Sequence, residues 1–211
     1  MNRWDKYDVS GNVEAQFADE SEDVLVNKLG IKELEPLQLK EEEGLATAYE
    51  ILFSEVRTDT VLTTQLVRHV HDRIFGELFE WAGRWRTVVI SKPGAIWPPP
   101  QYLDAAMKSF ETEILSKCES ADLVSDDVFV EISAEVQGEF LAIHPFREGN
   151  ARTIKLVNDL LAAQTNRPML KYDQSDAGRD EYINAAKAAM AAQDYRPMQS
   201  IIRTALQQAT G

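Results

Sequence analysis

The stretch HPFREGNAR, residues 144–152, puts a histidine, an acid, a Gly-Asn pair and an arginine side by side. His144 supplies a base whose ordinary pKa lies close to neutrality. Glu148 supplies one carboxylate, and one carboxylate plus substrate phosphates is how Mg2+ is commonly held. Gly149 permits a tight turn and a close backbone approach. Asn150 suits a helix cap, and its amide can donate to a phosphate. Arg152 presents a planar guanidinium fork that matches phosphate oxygens. A base, a metal-binding acid and a set of anion donors are the parts needed to move a phosphate-bearing group.

These residues act together only if the flanking elements bring them to one place. The pattern predicts a helix ending near Ile143 and another beginning near Asn150, so the motif is a loop feeding a helix N-terminus. Such a terminus leaves backbone N–H groups unsatisfied and carries the positive end of the helix dipole. An arginine in that first turn is unfavourable unless an anion joins it. Taken singly, each residue has an ordinary explanation: a helix-terminal histidine, a Glu148–Arg152 ion pair, a Gly-Asn turn. Their conjunction at one loop-to-helix junction is what favours a site.

Around the motif the chain reads as helical. SEDVLVNKLGI opens a helical apolar period that stops at Leu29-Gly30. Leu45, Ala48, Tyr49 and Leu52 share one face of an amphipathic segment, and Leu62, Leu66, Val70 and Ile74 recur at every fourth residue up to Gly76. YLDAAMKSFETEILSKC and SDDVFVEISAEVQGEFLAI read as two further helices, the second capped by Ser125 or Asp126. ARTIKLVNDLLAAQ is another, with a core stripe of Ile154, Val157, Leu160 and Leu161, and two more close the chain. The exception is TVVISKPGAIWPPP, where β-branched residues flank a Lys-Pro-Gly turn and predict a short β-hairpin. Pro98-Pro99-Pro100 stops its second strand and leaves an exposed edge. Trp81, Trp85 and Trp97 flank this hairpin and are expected to pack beneath it.

The 211 residues suffice for one sizeable core, with 44% hydrophobic and 27% charged residues placing the chain among globular proteins. A formal net charge of −13 opposes nucleic acid and anionic membranes. Positive charge gathers at Arg84, Arg86 and Lys92 and again at Arg147, Arg152 and Lys155, a distribution suited to a small anionic ligand such as a nucleotide. Cys118 is the only cysteine, which excludes a disulfide framework and a cysteine zinc site. His69 and His71 lie two apart on a helix and point about 200° away from each other, so they cannot clasp one metal. No apolar run reaches membrane-span length and no signal core opens the chain, so a cytoplasmic protein is the expectation.

HPFREGNAR closely resembles the signature of the Fic (Fic/Doc) family, His-x-Phe-x-Asp/Glu-Gly-Asn-Gly/Lys-Arg-x-x-Arg. FGELFEWAGRWRT, residues 75–87, resembles the segment before that family's hairpin, and VVISKPGAIWPPPQYL resembles its flap. The resemblance covers roughly residues 45 to 200. It implies an all-α single domain with one β-hairpin flap, the Fic fold, and a Mg2+-dependent protein adenylyltransferase that moves AMP from ATP to a Ser, Thr or Tyr hydroxyl. By that resemblance His144 would be the base, Phe146 the anchor of the loop in the core, and Glu148 the Mg2+ ligand. Gly149, Asn150 and Ala151 would line the anion hole, with Arg152 and Lys155 on the phosphates. Val89, Ile90, Ser91 and Lys92 would form the target-binding flap, and Tyr182 and Asn184 fall where the family places contacts to the nucleoside.

Two positions depart from the signature. Ala151 stands where the family usually has Gly, and Lys155 where it usually has a second Arg, which keeps the charge and loses the fork. The family's inhibitory Ser/Thr-x-x-x-Glu-Gly/Asn pattern is not matched: Glu43-Gly44 has the ending, but residue 39 is Leu. The reading is therefore residues 1–44 as an arm and helix with a candidate regulatory role, and residues 45–211 as the catalytic domain. Its partners would be a protein substrate docked on the hairpin and a separate inhibitor or antitoxin protein. Phosphoryl transfer on the same fold, and a catalytically weakened binding protein, are the rival readings.

Overall fold

The computed structural model describes residues 12–20, 22–92, 95–119, 123 and 125–210. Seven α-helices and one two-stranded antiparallel sheet lie among these residues, the mostly helical fold with one hairpin that the sequence predicts. Helix α1 runs Leu34–Glu55 and α2 Thr64–Phe75. Strands β1 (Ser91–Lys92) and β2 (Ala95–Ile96) follow, then α3 Leu103–Ser109 and α4 Asp126–Ile143. The chain continues through α5 Asn150–Gln164, α6 Asp176–Ala192 and α7 Arg196–Thr210.

Helix α4 is the hub and packs on α5, α6 and α7, while α1 and α2 pair with each other and lean on α5. The predicted α5 stripe is buried, and Leu156 and Ala162 are buried as well, so this helix is covered on nearly every side. Ala48 and Leu52 of α1 are fully buried, and Leu45 and Tyr49 pack beside them. Thr63 and Ser125 cap α2 and α4, their side chains accepting from the Leu66 and Val128 N–H groups. Gly76 ends α2 as expected.

Three expectations need correction. The first helical period, SEDVLVNKLGI, is not a helix over its described residues 22–31. Phe17 and Leu25 form an antiparallel bridge, and the Asn27 amide closes a turn onto the N–H and carbonyl of Ile31, with Gly30 at φ +66°. Residues 12–20, polar and acidic in sequence and read as part of the N-terminal arm, are held against the domain. Glu14 is buried, and Oε2 accepts from both the N–H and hydroxyl of Thr87. Most of the arm before that point lies outside the described residues. The third correction concerns residues 102–118, read as one helix. After α3 the chain widens into a π turn at Phe110–Ile114 and tightens into a 3-10 turn at Leu115–Cys118. The passage buries Phe110, Leu115 and Cys118 on the core side, and Glu111 reaches across to the N–H and hydroxyl of Thr64.

Helix α1 continues without a break across residues 44 and 45, the position where the sequence reading divides arm from domain. The hairpin is shorter than expected, with Ser91 opposite Ile96 and Lys92 opposite Ala95, and its Pro93-Gly94 turn lies outside the described residues.

Candidate active site

Helix α4 ends where the sequence places it, and the ending sets up the chemistry. His144 is its C-cap in the left-handed region, φ 51° and ψ 61°, an uncommon conformation for a residue with a Cβ. The Leu141 carbonyl would bond to the N–H of residue 145 in a continuing helix, but that residue is Pro145 and has none. The carbonyl instead accepts from the Trp97 indole Nε1 at 2.9 Å and faces His144 Nδ1 at 3.4 Å. A carbonyl can only accept, so Nδ1 carries the hydrogen and Nε2 is left with its lone pair. Burial, and then the nearby Lys92 and Arg86 charges, hold the His144 imidazole down to about 4, despite a raising contribution from the Leu141 carbonyl. His144 is therefore a neutral imidazole at physiological pH.

The loop that follows is locked from within. Phe146 is fully buried and stacks on His71 at a centroid distance of 3.7 Å. Asn150 does not cap α5: Gly149 is the N-cap, at φ +76°. The Asn150 side chain instead accepts from the Phe146 N–H and donates to the Phe146 carbonyl, both at 2.9 Å, and is buried. That commits one of its two amide hydrogens and makes it the clasp of the loop, while Asn150 still borders the cavity. A Cβ at Gly149 would fall on the Phe75 ring, so this position has no room for a side chain.

Around His144 two depressions meet. The larger, about 370 Å3, is lined by His144, Glu148, Gly149, Asn150, Ala151 and Arg152 on one side. Its far wall is α6, through Tyr182, Ile183, Ala186, Lys187 and Met190. The smaller, about 260 Å3, lies between motif and hairpin, lined by Val89, Ile90, Ser91 and Lys92 with Arg147. His144, Glu148, Lys92 and Trp97 border both. Lys92 Nζ is 4.0 Å from Glu148 Oε1, which ties the hairpin to the loop.

Arg152 reaches this cavity already engaged. Its Nη1 donates to Glu41 Oε2 of α1 at 2.9 Å, and its guanidinium lies 4.7 Å over the Phe75 ring. The acid that meets the motif is thus Glu41, whereas Glu43 pairs with Lys40 on the exposed face of α1. Lys155 is not brought into the cavity. Its ammonium sits 4.0 Å and 4.5 Å from the Tyr182 and Tyr172 ring centroids and lines a separate depression. Burial there lowers its pKa to about 8. Asn184 is exposed and does not line the cavity, whereas Tyr182 does.

The structure adds residues that the motif did not advertise. His71, set aside from sequence as half of a metal clasp, is fully buried and donates from Nε2 to the Glu148 carbonyl at 3.1 Å, while Nδ1 accepts from the Gly83 N–H. Arg86, also buried, donates to the carbonyls of His144, Val88 and Pro98 at 2.9, 2.9 and 2.7 Å. The stretch FGELFEWAGRWRT is the sequence signal for both, since it supplies Gly83 and Arg86. His69 is half-buried and bonds to Glu55. No group of three or more metal-ligating side chains occurs among the described residues. A metal here would rest on Glu148 and on oxygens brought by the substrate, a donor set that suits Mg2+.

The sequence profile of the Fic/DOC family matches residues 61–162, which span α2, the hairpin, the motif and most of α5. Protein adenylyltransferase VbhT of Bartonella schoenbuchensis is 29% identical over 141 residues, covering 66% of this chain and 29% of that protein. A probable protein adenylyltransferase, y4lH of Sinorhizobium fredii, is 31% identical over 86 residues, or 41% of this chain and 45% of its own length. The chain thus spans less than half the length of these relatives. Among solved structures, BepC of Bartonella tribocorum with bound AMPPNP superposes with a TM-score of 0.71 at 19% identity, covering 86% of this chain and 91% of that one. A Fic domain of Bartonella quintana with bound ADP gives 0.70 at 20% identity, covering 86% and 89%. At these identities the superpositions establish the fold.

Proposed function

Because the chain belongs to the Fic/DOC family, we propose that it is an adenylyltransferase that moves AMP from ATP to a Ser, Thr or Tyr hydroxyl of a protein segment on its hairpin. The observation that carries this reading is the single imidazole bordering two depressions. The larger has a helix N-terminus, Arg152 and an apolar wall, which suits a nucleoside triphosphate. The smaller is walled by the hairpin and suits an extended peptide. The relatives named adenylyltransferases and the nucleotide-bound neighbours support the same assignment.

In this mechanism the hydroxyl oxygen attacks the α-phosphorus and its proton passes to His144 Nε2. The bond from the α-phosphorus to the bridging oxygen breaks, and pyrophosphate leaves. The first-turn N–H groups of α5 and the Arg152 guanidinium hold the phosphates and balance their charge. Glu148 would hold Mg2+, which when bound neutralises phosphate charge. The Phe146–Asn150 clasp keeps the loop in register. Residues 1–44 would serve a regulatory role and residues 45–211 catalysis, with Glu41 as the link between them. The proposed partners are the substrate segment and a separate inhibitor protein, in a cytoplasmic setting where ATP is abundant. A net charge of −13 argues against nucleic acid or a membrane surface as partner.

The test is transfer of label from ATP in lysate with Mg2+, one arm labelled at the α-phosphate and the other at the γ-phosphate, with His144→Ala as control. Label from the α-position alone that vanishes in His144→Ala is the expected result. Label from the γ-position alone would replace adenylyl with phosphoryl transfer, and equal labelling by His144→Ala would remove the base from the mechanism.

A further inference from the structure

The long 3.4 Å contact between His144 Nδ1 and the Leu141 carbonyl is too weak to orient an imidazole unaided. Something else must hold the ring of a residue whose backbone is already in the left-handed region. Trp97 touches both partners of that contact. It leaves the end of the hairpin, is buried, and lays its ring 4.1 Å from the imidazole centroid at a tilt of 31°. Its Nε1 takes one lone pair of the Leu141 carbonyl at 2.9 Å, fixing the oxygen that His144 Nδ1 faces. Pro145 makes this arrangement available by leaving the carbonyl without its helical partner.

We propose that Trp97 is a positioning residue for His144: it stacks on the imidazole and anchors the Leu141 carbonyl, thereby holding the Nδ1–H tautomer with Nε2 turned to the cavity. The proposal rests on the reading of His144 as the base. A carbonyl left free to rotate, or a ring free to flip about χ2, would let the imidazole present the wrong nitrogen. Trp97 borders both depressions, so the hairpin that would receive the peptide also holds the base that would deprotonate it.

The experiment reads the tautomer first and turnover second. Long-range 1H–15N correlation on the full chain at pH 7.5 reports which ring nitrogen carries hydrogen. The chain has only three histidines, and His144→Ala identifies the signals of residue 144. Trp97→Phe keeps a ring over the imidazole and removes the indole N–H; Trp97→Leu removes both. The wild type is expected as the Nδ1–H form, Trp97→Phe as a mixture, and Trp97→Leu as a mixture with broader averaging. Transfer by Trp97→Phe should fall about 10-fold and by Trp97→Leu about 100-fold in kcat, with the KM for ATP within about 3-fold, as expected when a reacting group is misplaced but the binding site is not. Trp97→Phe is conservative enough to fold, and its circular dichroism melt verifies that.

A wild-type tautomer in both variants overturns the proposal, and so does a fall in kcat that comes only with an equal loss of fold. A wild type found as the Nε2–H form overturns it together with the base reading. If the wild type transfers no AMP but Trp97→Phe still scrambles the tautomer, the positioning role holds and the proposed activity fails.

Discussion

The buried His71 imidazole bonds through Nε2 to the carbonyl of Glu148 and through Nδ1 to the N–H of Gly83. A ring that donates on one nitrogen and accepts on the other must be neutral, and burial accordingly holds its pKa down to about 3. His71 therefore braces the acid of the motif against the turn that precedes the hairpin. His71→Ala should strand two buried backbone groups and open a void beside Phe146, costing about 3 kcal/mol by urea unfolding. At a temperature where the variant remains folded, its KM for ATP should rise, because Glu148 loses its support. An unchanged KM would confine His71 to packing.

The two depressed histidines make opposite demands on an acid titration of activity and of stability. With His144 at about 4, the neutral base persists through neutral pH, and the acid limb of kcat/KM should fall only as pH approaches that value. A limb centred near 6.5, the ordinary histidine value, would contradict the buried geometry. Stability behaves differently. The folded pKa values of His71 and His144 lie below the unfolded value, so the unfolded chain takes up their protons first. Their contribution is complete above about pH 6.5 and is lost on acidification, at a slope approaching about 1.4 kcal/mol per pH unit for each histidine. Substituting His71 should flatten the unfolding free energy measured from pH 7 to pH 4.5.

Glu41 occupies one donor of Arg152 and cancels part of its charge. Glu41→Gln keeps an acceptor for that donor but removes the negative charge facing the phosphates. Nucleotide affinity measured by titration calorimetry should tighten about 5-fold, corresponding to about 1 kcal/mol. Weaker binding would instead mean that the carboxylate is needed to aim the guanidinium.

Gly149 and Ala151 bracket the tolerance of the junction between the motif loop and α5. Gly149→Ala meets both the positive φ and the Phe75 ring, and should lose about 2–5 kcal/mol by denaturation. Ala151 lies in the first turn of α5 with its methyl on the cavity wall. Ala151→Gly should raise kcat/KM severalfold by widening the cradle, while costing about 1 kcal/mol of helix stability. No gain in rate would show that the methyl is harmless to the bound phosphates.

The helices and the site loop were legible because their signals are local. The α5 stripe, the Ser125 cap and the Ile143-to-Asn150 junction all follow from periodicity and capping within a few residues. Tertiary partners were less accessible. Asn150 has the chemistry of a cap, yet its side chain answers to Phe146, because the buried loop has backbone groups to satisfy and no water to do it. Lys155 stands three residues beyond Arg152, where the resembled signature places a second Arg on the phosphates, but two tyrosines from α6 and the loop before it draw its ammonium away. Glu41 sits in a run of three acids, and only the packing of α1 against α5 distinguishes the one that reaches Arg152. The helical period at 22–31 failed for another reason: Leu25 pairs with Phe17 in an antiparallel bridge, and apolar periodicity alone does not separate that pairing from a helical face.

Arg86 grips main-chain oxygens alone: those of His144, Val88 and Pro98, with its own N–H on Pro145. A carbonyl is the same in every residue, so this keystone is blind to the side chains that hairpin and loop display. Mutations can therefore remodel what the hairpin presents to a client protein while the scaffold beneath it stays assembled. On the proposed function, client choice and reaction chemistry would be separately evolvable traits, and a laboratory library confined to Val89, Ile90 and Ser91 would change the choice of client without rebuilding the floor beneath it.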